Sequence, residues 1–227
     1  MVFRMIRRSL IAGGMACLLL VSPASAQDVK PEAAAASSAT LTLEAVPETE
    51  WVSLFNGKDM TGWKISKKSD PAMKWEVKDG LLVGSGKAGM LYSEKSFENF
   101  HFKVEAKIND KGNSGQYFRC SENPGFLDGY EAQINATHRD PIKTGSLYKF
   151  DKTYILNNAP HKPDEFFTQE VIANGNHIQI FVNGKKVTDI VDEKGQFKKG
   201  HFAIQQHDPG SIITIRKIEV KELPASK

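Results

Sequence analysis

Between Gly112 and His138 the chain reads G-N-S-G-Q-Y-F-R-C, a loop through Pro124 and Asp128, then G-Y-E-A-Q-I-N-A-T-H. Glu131 supplies a carboxylate here, Arg119 a fixed cationic fork, and Gln133 an amide that both donates and accepts. His138 ends the stretch with an imidazole, and a second imidazole, His207, stands in Gln205-Gln206-His207-Asp208. Imidazole titrates near neutrality, so an imidazole and a carboxylate facing one hollow are the parts of general acid–base chemistry. Amides such as Gln133 and Gln205 suit a ligand rich in hydroxyl groups. His207 is the first candidate base. Glu131 is the second, as base or as the residue that orients the base. The competing roles are a rim histidine bonded to a backbone carbonyl, and a structural ion pair between Glu131 and Arg119. His138 with Glu131 and His207 could also form a His/Glu set for a divalent metal ion, although no H-x-H or H-E-x-x-H spacing supports it.

For these groups to meet, both halves of the stretch must be strands, whose side chains alternate between two faces. Read with period two, Phe118 and Cys120 share one face of the first strand, and Tyr117 and Arg119 the other. In the second, Tyr130, Ala132 and Ile134 share the apolar face, and Glu131, Gln133 and Asn135 the polar one. Pairing of the two strands would then stand Arg119, Glu131 and Gln133 on one open sheet surface. Gln205 and His207 share a face of a later strand, opposite Ile204. Other segments carry the same signature. Phe100 to Ile108 alternates, Asp79-Gly80 separates two short apolar runs as a hairpin turn, and Asn183-Gly184 does the same after His177 to Val182. No segment holds a helical period over three turns. Many short strands punctuated by Gly, Asn and Asp predict an antiparallel sandwich or barrel.

Positions 1–26 carry Arg4, Arg7 and Arg8, an apolar run from Leu10 to Val21, and Ala24-Ser25-Ala26. This is the pattern of a secretory signal peptide, too short for a lasting membrane span. Its removal takes away three of the 30 Lys plus Arg and none of the 27 Asp plus Glu, leaving a formally neutral chain. No bulk field then recruits nucleic acid. Residues 27–49, rich in Ala, Ser and Glu, read as a flexible linker. The segment 50–224, roughly 175 residues, is long enough to bury its own core. Cys120 alone remains of the two cysteines, so no internal disulfide is expected; it reads as a small hydrophobe on the core face of its strand.

Five motifs occur in order: L-F-N-G-K-D-M-T-G-W, N-S-G-Q-Y-F-R with G-Y-E-A-Q-I, T-G-S-L-Y, G-N-H-I-Q-I-F-V-N-G-K, and Q-Q-H-D-P-G-S-I-I-T-I-R-K-I-E-V-K-E-L. Together they cover about positions 50–223 and resemble the 3-keto-disaccharide hydrolase family. The resemblance implies an all-β fold, a concanavalin A-like antiparallel jelly-roll sandwich with its site on the concave face, in a periplasmic or secreted protein. It also implies a 3-keto-glycoside as ligand. A ketone at C3 of a sugar acidifies the proton at C2, so a base can remove it and expel the group on C1, without the paired carboxylates of ordinary glycosidases. In that setting Arg119 is a candidate for the ketone or a hydroxyl, Tyr148 for stacking on a sugar face, and Lys149 for stabilising the enolate. Two alternatives stay open. One is a non-catalytic, lectin-like carbohydrate-binding module on the same face. The other is a conventional glycoside hydrolase, which needs a second acid near Glu131, such as Asp128 or Asp208. The G-x-G-x-x-G match at Gly84–Gly89 is expected to be a turn between strands, since Met90-Leu91-Tyr92 follows where a nucleotide loop needs a helix. Asn135-Ala136-Thr137 fits a glycosylation sequon but carries no such meaning in a bacterial host.

Overall fold

The computed structural model describes residues 50–148, 150 and 154–224; the expected signal peptide, the expected linker and Lys149 lie outside the described residues. Thirteen strands follow one another: β1 (Val52–Ser53), β2 (Trp63–Ile65), β3 (Met73–Lys78), β4 (Leu81–Gly86), β5 (Gly89–Phe97), β6 (Phe100–Ile108), β7 (Ser114–Cys120), β8 (Tyr130–Ile134), β9 (Phe167–Asn174), β10 (His177–Val182), β11 (Lys185–Val191), β12 (Gly200–Gln206) and β13 (Ile213–Glu222). An eight-stranded sheet runs β11-β10-β9-β6-β13-β4-β3, with β1 added on β13, and a five-stranded sheet runs β2-β5-β12-β7-β8. All strand pairs are antiparallel. No helix among the described residues is long and apolar enough to cross a membrane.

The alternation in β6 buries Phe100, Phe102, Val104, Ala106 and Ile108, which face Phe118 of β7 and Phe202 and Ile204 of β12 across the core. Phe102 of the large sheet stacks on Phe202 of the small one at 3.8 Å between ring centroids. This two-layer packing is the jelly-roll sandwich that the family resemblance implied, where strand spacing alone left sandwich and barrel open. The Asp79-Gly80 turn closes the β3–β4 hairpin with both residues at positive φ, 52° and 77°, as a two-residue turn matched to strand twist requires. The glycine-rich stretch at 84–89 links β4 of one sheet to β5 of the other, with no helix after it.

Two buried amides cross the core. Gln116 Nε2 of β7 donates to the Phe102 carbonyl at 3.3 Å, and Gln169 Nε2 of β9 donates to the Ala132 carbonyl at 3.2 Å. Each ties one sheet to the backbone of the other, fixing how the small sheet lies on the large one.

β7 departs from strict alternation. On the β12 side, His201 pairs with Cys120 and Ala203 with Tyr117, so β7 spends three residue steps where its partner uses two. The extra residue is a bulge with Arg119 at φ 53°, a left-handed conformation costing about 1–2 kcal/mol for a residue with a Cβ. Two expectations fail here for one reason. Cys120 is buried on the outer face of the small sheet, against Met90, Tyr92, Tyr117 and Ala203, and not on the core face. Arg119 turns away from Glu131 and Gln133: its Nε and Nη2 donate to the Glu98 carbonyl at 3.0 and 2.7 Å, and Nη1 to the Phe197 carbonyl at 3.1 Å. Its guanidinium carbon lies 5.9 Å from the centre of the Phe100 ring, so the fork closes the end of the core.

Replacing Arg119 by Met leaves two carbonyls without donors. The expected cost is about 2–4 kcal/mol of unfolding free energy in a urea titration, with activity of the folded protein unchanged at low temperature. A stability loss under 0.5 kcal/mol, or loss of activity in a protein still fully folded, would show that Arg119 acts elsewhere.

Candidate active site

The outer face of the small sheet carries the convergence of polar groups. β7 and β8 pair with Gly115 opposite Gln133 and Tyr117 opposite Glu131. Period two therefore puts Gly115 and Tyr117 on the same face as Glu131 and Gln133, while Tyr130, Ala132 and Ile134 enter the core. A hollow of about 410 Å³ opens over this face. Its polar walls are Glu131, Gln133, Gln205, His207, Tyr117 and Tyr148, with Asn113 beside them and Phe126 and Leu127 on the covering loop. Glu131 keeps only 6% of its surface and Gln205 4%, so both are largely removed from bulk water. Gly115 makes room for the acid: a Cβ there would lie 2.3 Å from Glu131 Oε1. A second hollow of about 490 Å³ adjoins the first and shares Phe126, Leu127, Glu131 and Tyr148 with it.

A chain of donors runs along the floor. Gln205 Nε2 donates to the Tyr117 hydroxyl at 3.2 Å, and Tyr117 in turn hydrogen-bonds Glu131. Burial raises the Tyr117 pKa well above its ordinary value and the Glu131 charge raises it further, so the phenol stays protonated as a donor. The Gln133 amide oxygen accepts the Ile134 N–H at 2.9 Å, which fixes the amide's orientation.

His207 stands where β12 leaves the sheet, and the turn after it sets its orientation. Asp208 Oδ1 accepts the Gly210 N–H and the Ser211 hydroxyl, each at 3.0 Å. Its other oxygen, Oδ2, lies 2.8 Å from His207 Nδ1 and 3.5 Å from His138 Nε2. His138 Nδ1 accepts the main-chain N–H of Asp140 at 3.1 Å, so the proton of the neutral ring is on Nε2 and points at Asp208. Burial lowers the His138 pKa, as does the neighbouring His207, which favours that neutral form. The same carboxylate can only accept from His207, which places a proton on Nδ1 and leaves the Nε2 lone pair of neutral His207 for a ligand. Burial raises the Asp208 carboxyl, but hydrogen bonds from His207 and Ser211 outweigh it and hold the group below its ordinary value.

His138, His207 and Asp208 offer ligand atoms within 4.8 Å of one another, the spacing of a cation site, with Asp208 in place of the Glu131 expected from sequence. The tautomer opposes that use. With Nδ1 engaged by Asp140, the other nitrogen of His138 carries a proton and has no lone pair to give, so ligation would require the ring to turn over.

The remaining candidates fall on both sides of the line. Tyr148 borders both hollows, and burial, with its hydroxyl held by Asp140 Oδ2 at 2.9 Å, pushes its pKa up to about 12. His138 is not in the wall of the hollow but stands behind it, 3.2 Å from the Asn113 amide, edge-on to the His207 ring at 5.4 Å between centroids, and 3.5 Å from Asp208. The loop that holds it is organised by Lys143, whose ammonium donates to the His138 and Asp140 carbonyls at 2.7 and 2.8 Å. Asp128 pairs with Lys68 at 2.6 Å and lines neither hollow. Sequence reasoning missed Asn113, Phe126 and Leu127, and it placed Tyr117 on a face without giving it a role. Tyr117 was within reach, since any register that pairs the two polar faces puts it on the same surface as Glu131 and Gln133.

Residues 50–221 match the 3-keto-alpha-glucoside-1,2-lyase-like domain family. A 3-keto-disaccharide hydrolase of Bacteroides thetaiotaomicron is 28% identical over 82 residues, which cover 32% of this chain and 28% of that protein's length. Among solved structures, a putative glycosyl hydrolase from Parabacteroides distasonis superposes with a TM-score of 0.65 at 24% identity, covering 77% of this chain and 94% of its own. The carbohydrate-binding module CBM66 from Bacillus subtilis gives 0.56 at 17% identity, covering 71% and 96%. At these identities the structural likenesses establish a shared fold.

Two outcomes are expected of the site itself. Long-range ¹⁵N–¹H spectra should show His138 as the Nε2–H tautomer and His207 as the Nδ1–H tautomer, and Asp208→Asn should abolish the preference at His207 while leaving that at His138. An Nδ1–H form of His138 would remove the argument against a cation. In Gly115→Ala the new methyl should drive Glu131 from its place, so a crystal structure of the variant should show the sandwich intact and that carboxylate rotated away.

Proposed function

We propose that this chain, which belongs to the 3-keto-alpha-glucoside-1,2-lyase-like domain family, is a carbohydrate-active enzyme that cleaves 3-keto-glycosides by elimination across C1 and C2. The observation that carries the reading is the composition of the site. Glu131 is the one carboxylate among the residues lining the two hollows, and it is accompanied by an imidazole whose Nε2 is left as an acceptor. Retaining and inverting glycosidases both use a pair of carboxyl groups about 5–10 Å apart across the glycosidic bond, and neither Asp128 nor Asp208 lines the hollows.

In the proposed reaction the C3 ketone acidifies C2–H. His207 Nε2 takes that proton, and the electron pair of the C–H bond becomes the enolate of the ketone. The enolate then collapses to a C1=C2 double bond as the bond from C1 to the leaving oxygen breaks, and that oxygen leaves with the bonding pair. Glu131, which borders both hollows, enters the reaction as the carboxylic acid, gives its proton to the leaving oxygen, and is left as the carboxylate that the Tyr117 hydroxyl bonds. Tyr117, Gln205 and Gln133 supply donors and acceptors for the sugar's oxygens, and Asp208 and His138 hold His207 in its working tautomer. Water added later across the double bond would complete a net hydrolysis. The leader-like segment at 1–26 is the ground for placing this reaction in the periplasm or outside the cell.

The test is turnover of a 3-keto-glucoside in D2O by the purified protein. His207→Ala should lower both C2–H exchange and release of the leaving group by about 10²–10⁴-fold. Glu131→Gln should keep the exchange but slow release, most for the poorest leaving groups. Full activity in both variants would sink the assignment of roles. Binding of 3-keto-glycosides with no turnover by the native protein would instead favour the carbohydrate-binding reading.

A further inference from the structure

After β8 the chain turns back through N-A-T-H-R-D-P-I-K, Asn135 to Lys143, before the segment that carries Tyr148. Three oxygens of this turn converge on one point: the side-chain oxygen of Asn135 and the main-chain oxygens of His138 and Asp140. Oxygens brought together in this way oppose one another unless donors stand between them. Lys143 supplies the donors. Its Nζ lies 3.3, 2.7 and 2.8 Å from the three, so each ammonium proton has one acceptor. None of the three is a carboxylate oxygen. The Asp140 carboxylate is taken by the Ile142 N–H and the Tyr148 hydroxyl, each at 2.9 Å. Burial lowers the Lys143 pKa, with the Asp140 charge opposing that shift. The ammonium thus sits in a cage of uncharged oxygens, as a bound monovalent cation would.

We propose that Lys143 is a positioning residue: its ammonium fixes the proton on His138 and, through Asp208, the orientation of His207. The link is the Asp140 N–H, held 3.1 Å from His138 Nδ1. The two carbonyls pinned by Lys143 belong to the peptide groups on either side of the one that carries this N–H. A main-chain N–H can only donate, so this contact decides the tautomer. The other neighbour of Nδ1, the Asn113 amide at 3.2 Å, does not decide it. Its oxygen is buried without a hydrogen-bond partner among the described residues, so the amide can turn over and suit either tautomer. With Nδ1 engaged, the Nε2–H of His138 faces Asp208 Oδ2, the oxygen that also meets His207 Nδ1. The same loop holds Tyr148 through Asp140. Only the consequence for turnover rests on the reading above, in which His207 is the base.

Lys143→Ala removes the ammonium and leaves room for n-propylammonium, whereas Lys143→Met removes the charge and keeps that room filled. Both variants are read first without substrate, by amide hydrogen exchange and long-range ¹⁵N–¹H spectra. Exchange of the Asp140 N–H should rise about tenfold or more, and His138 should show an Nδ1–H population that the native protein lacks. n-Propylammonium should restore both signals in Lys143→Ala and neither in Lys143→Met. Tetramethylammonium, which has the charge but no N–H, should restore neither in either variant. With a 3-keto-glucoside, kcat should fall about tenfold in both variants and recover with the amine in Lys143→Ala alone. Native exchange at Asp140 and a pure Nε2–H form of His138 in folded Lys143→Met would overturn the proposal. So would altered signals with a native kcat, since the ammonium would then position nothing that the reaction uses. If Lys143→Ala does not fold, Lys143→Met decides by the same signals. Absence of turnover by the native protein would sink the elimination reading and leave the spectra to decide this one.

Discussion

The register between β7 and β8 is the constraint on which the site depends. A strand that slips by one residue exchanges its faces, and here that exchange would send Glu131 and Gln133 into the core and bring Ala132 and Ile134 out. The core prevents it from several sides. Tyr130 packs against Phe118 at 5.2 Å, and the Gln169 amide reaches the Ala132 carbonyl from the opposite sheet. Both strands are buried along their whole length, so their outer face is not a solvated sheet surface. It is covered by the 121–129 loop and by the segment that carries Tyr148. Polar groups on such a face interact more strongly than the same groups in water, and each depends more on having a partner.

This explains why some of the site was legible in the sequence and some was not. The polar face of β8 follows directly from alternation, because five residues in a row obey it and the apolar three are all needed by the core. The facing of Arg119 and Cys120 could not be read the same way. Their phase is reset by one bulged residue, and the cause is tertiary: the guanidinium finds three bonds to carbonyls of the 97–100 and 191–200 connections. A period-two reading has no access to those partners. Arg119, by its chemistry a candidate for the ketone or a hydroxyl, is a structural plug at the end of the core. Phe126 and Leu127 were illegible for another reason. They lie on a connection, where no period links residue type to direction, and only the path of the loop brings them over the sheet.

The His207 environment shows how a turn can do the work of an element. Asp208 is next to His207 in sequence, too close for any strand argument to assign it a partner role. The turn through Pro209 and Gly210 folds the carboxylate back so that one oxygen is occupied by Gly210 and Ser211 while the other meets two imidazoles. Gln206 holds this turn from inside, its amide lying 3.0 Å from the Gly86 carbonyl and 2.8 Å from that of Asp208. On the other side, the Asp140 N–H settles the tautomer of His138, and that loop is in turn gathered around Lys143. Two turns distant in sequence thus agree on the direction of every proton between them.

That agreement bears on how a sandwich shared with binding modules and glycosyl hydrolases can support different chemistry. The sheets supply a face and a depth, and they are nearly indifferent to what happens above them. A hydrolytic site needs two carboxyl groups at a set separation, and a binding site needs only complementary surface. Elimination from a 3-keto-sugar needs less than the first and more than the second. The substrate's own ketone lowers the barrier to breaking C2–H, so one base with a fixed lone pair and one acid beside the departing oxygen are enough. The demand shifts from the number of acids to the control of a single imidazole. In this chain the one imidazole of the hollow is oriented by Asp208 and His138, outside its wall, and the proposed elimination would put its control there.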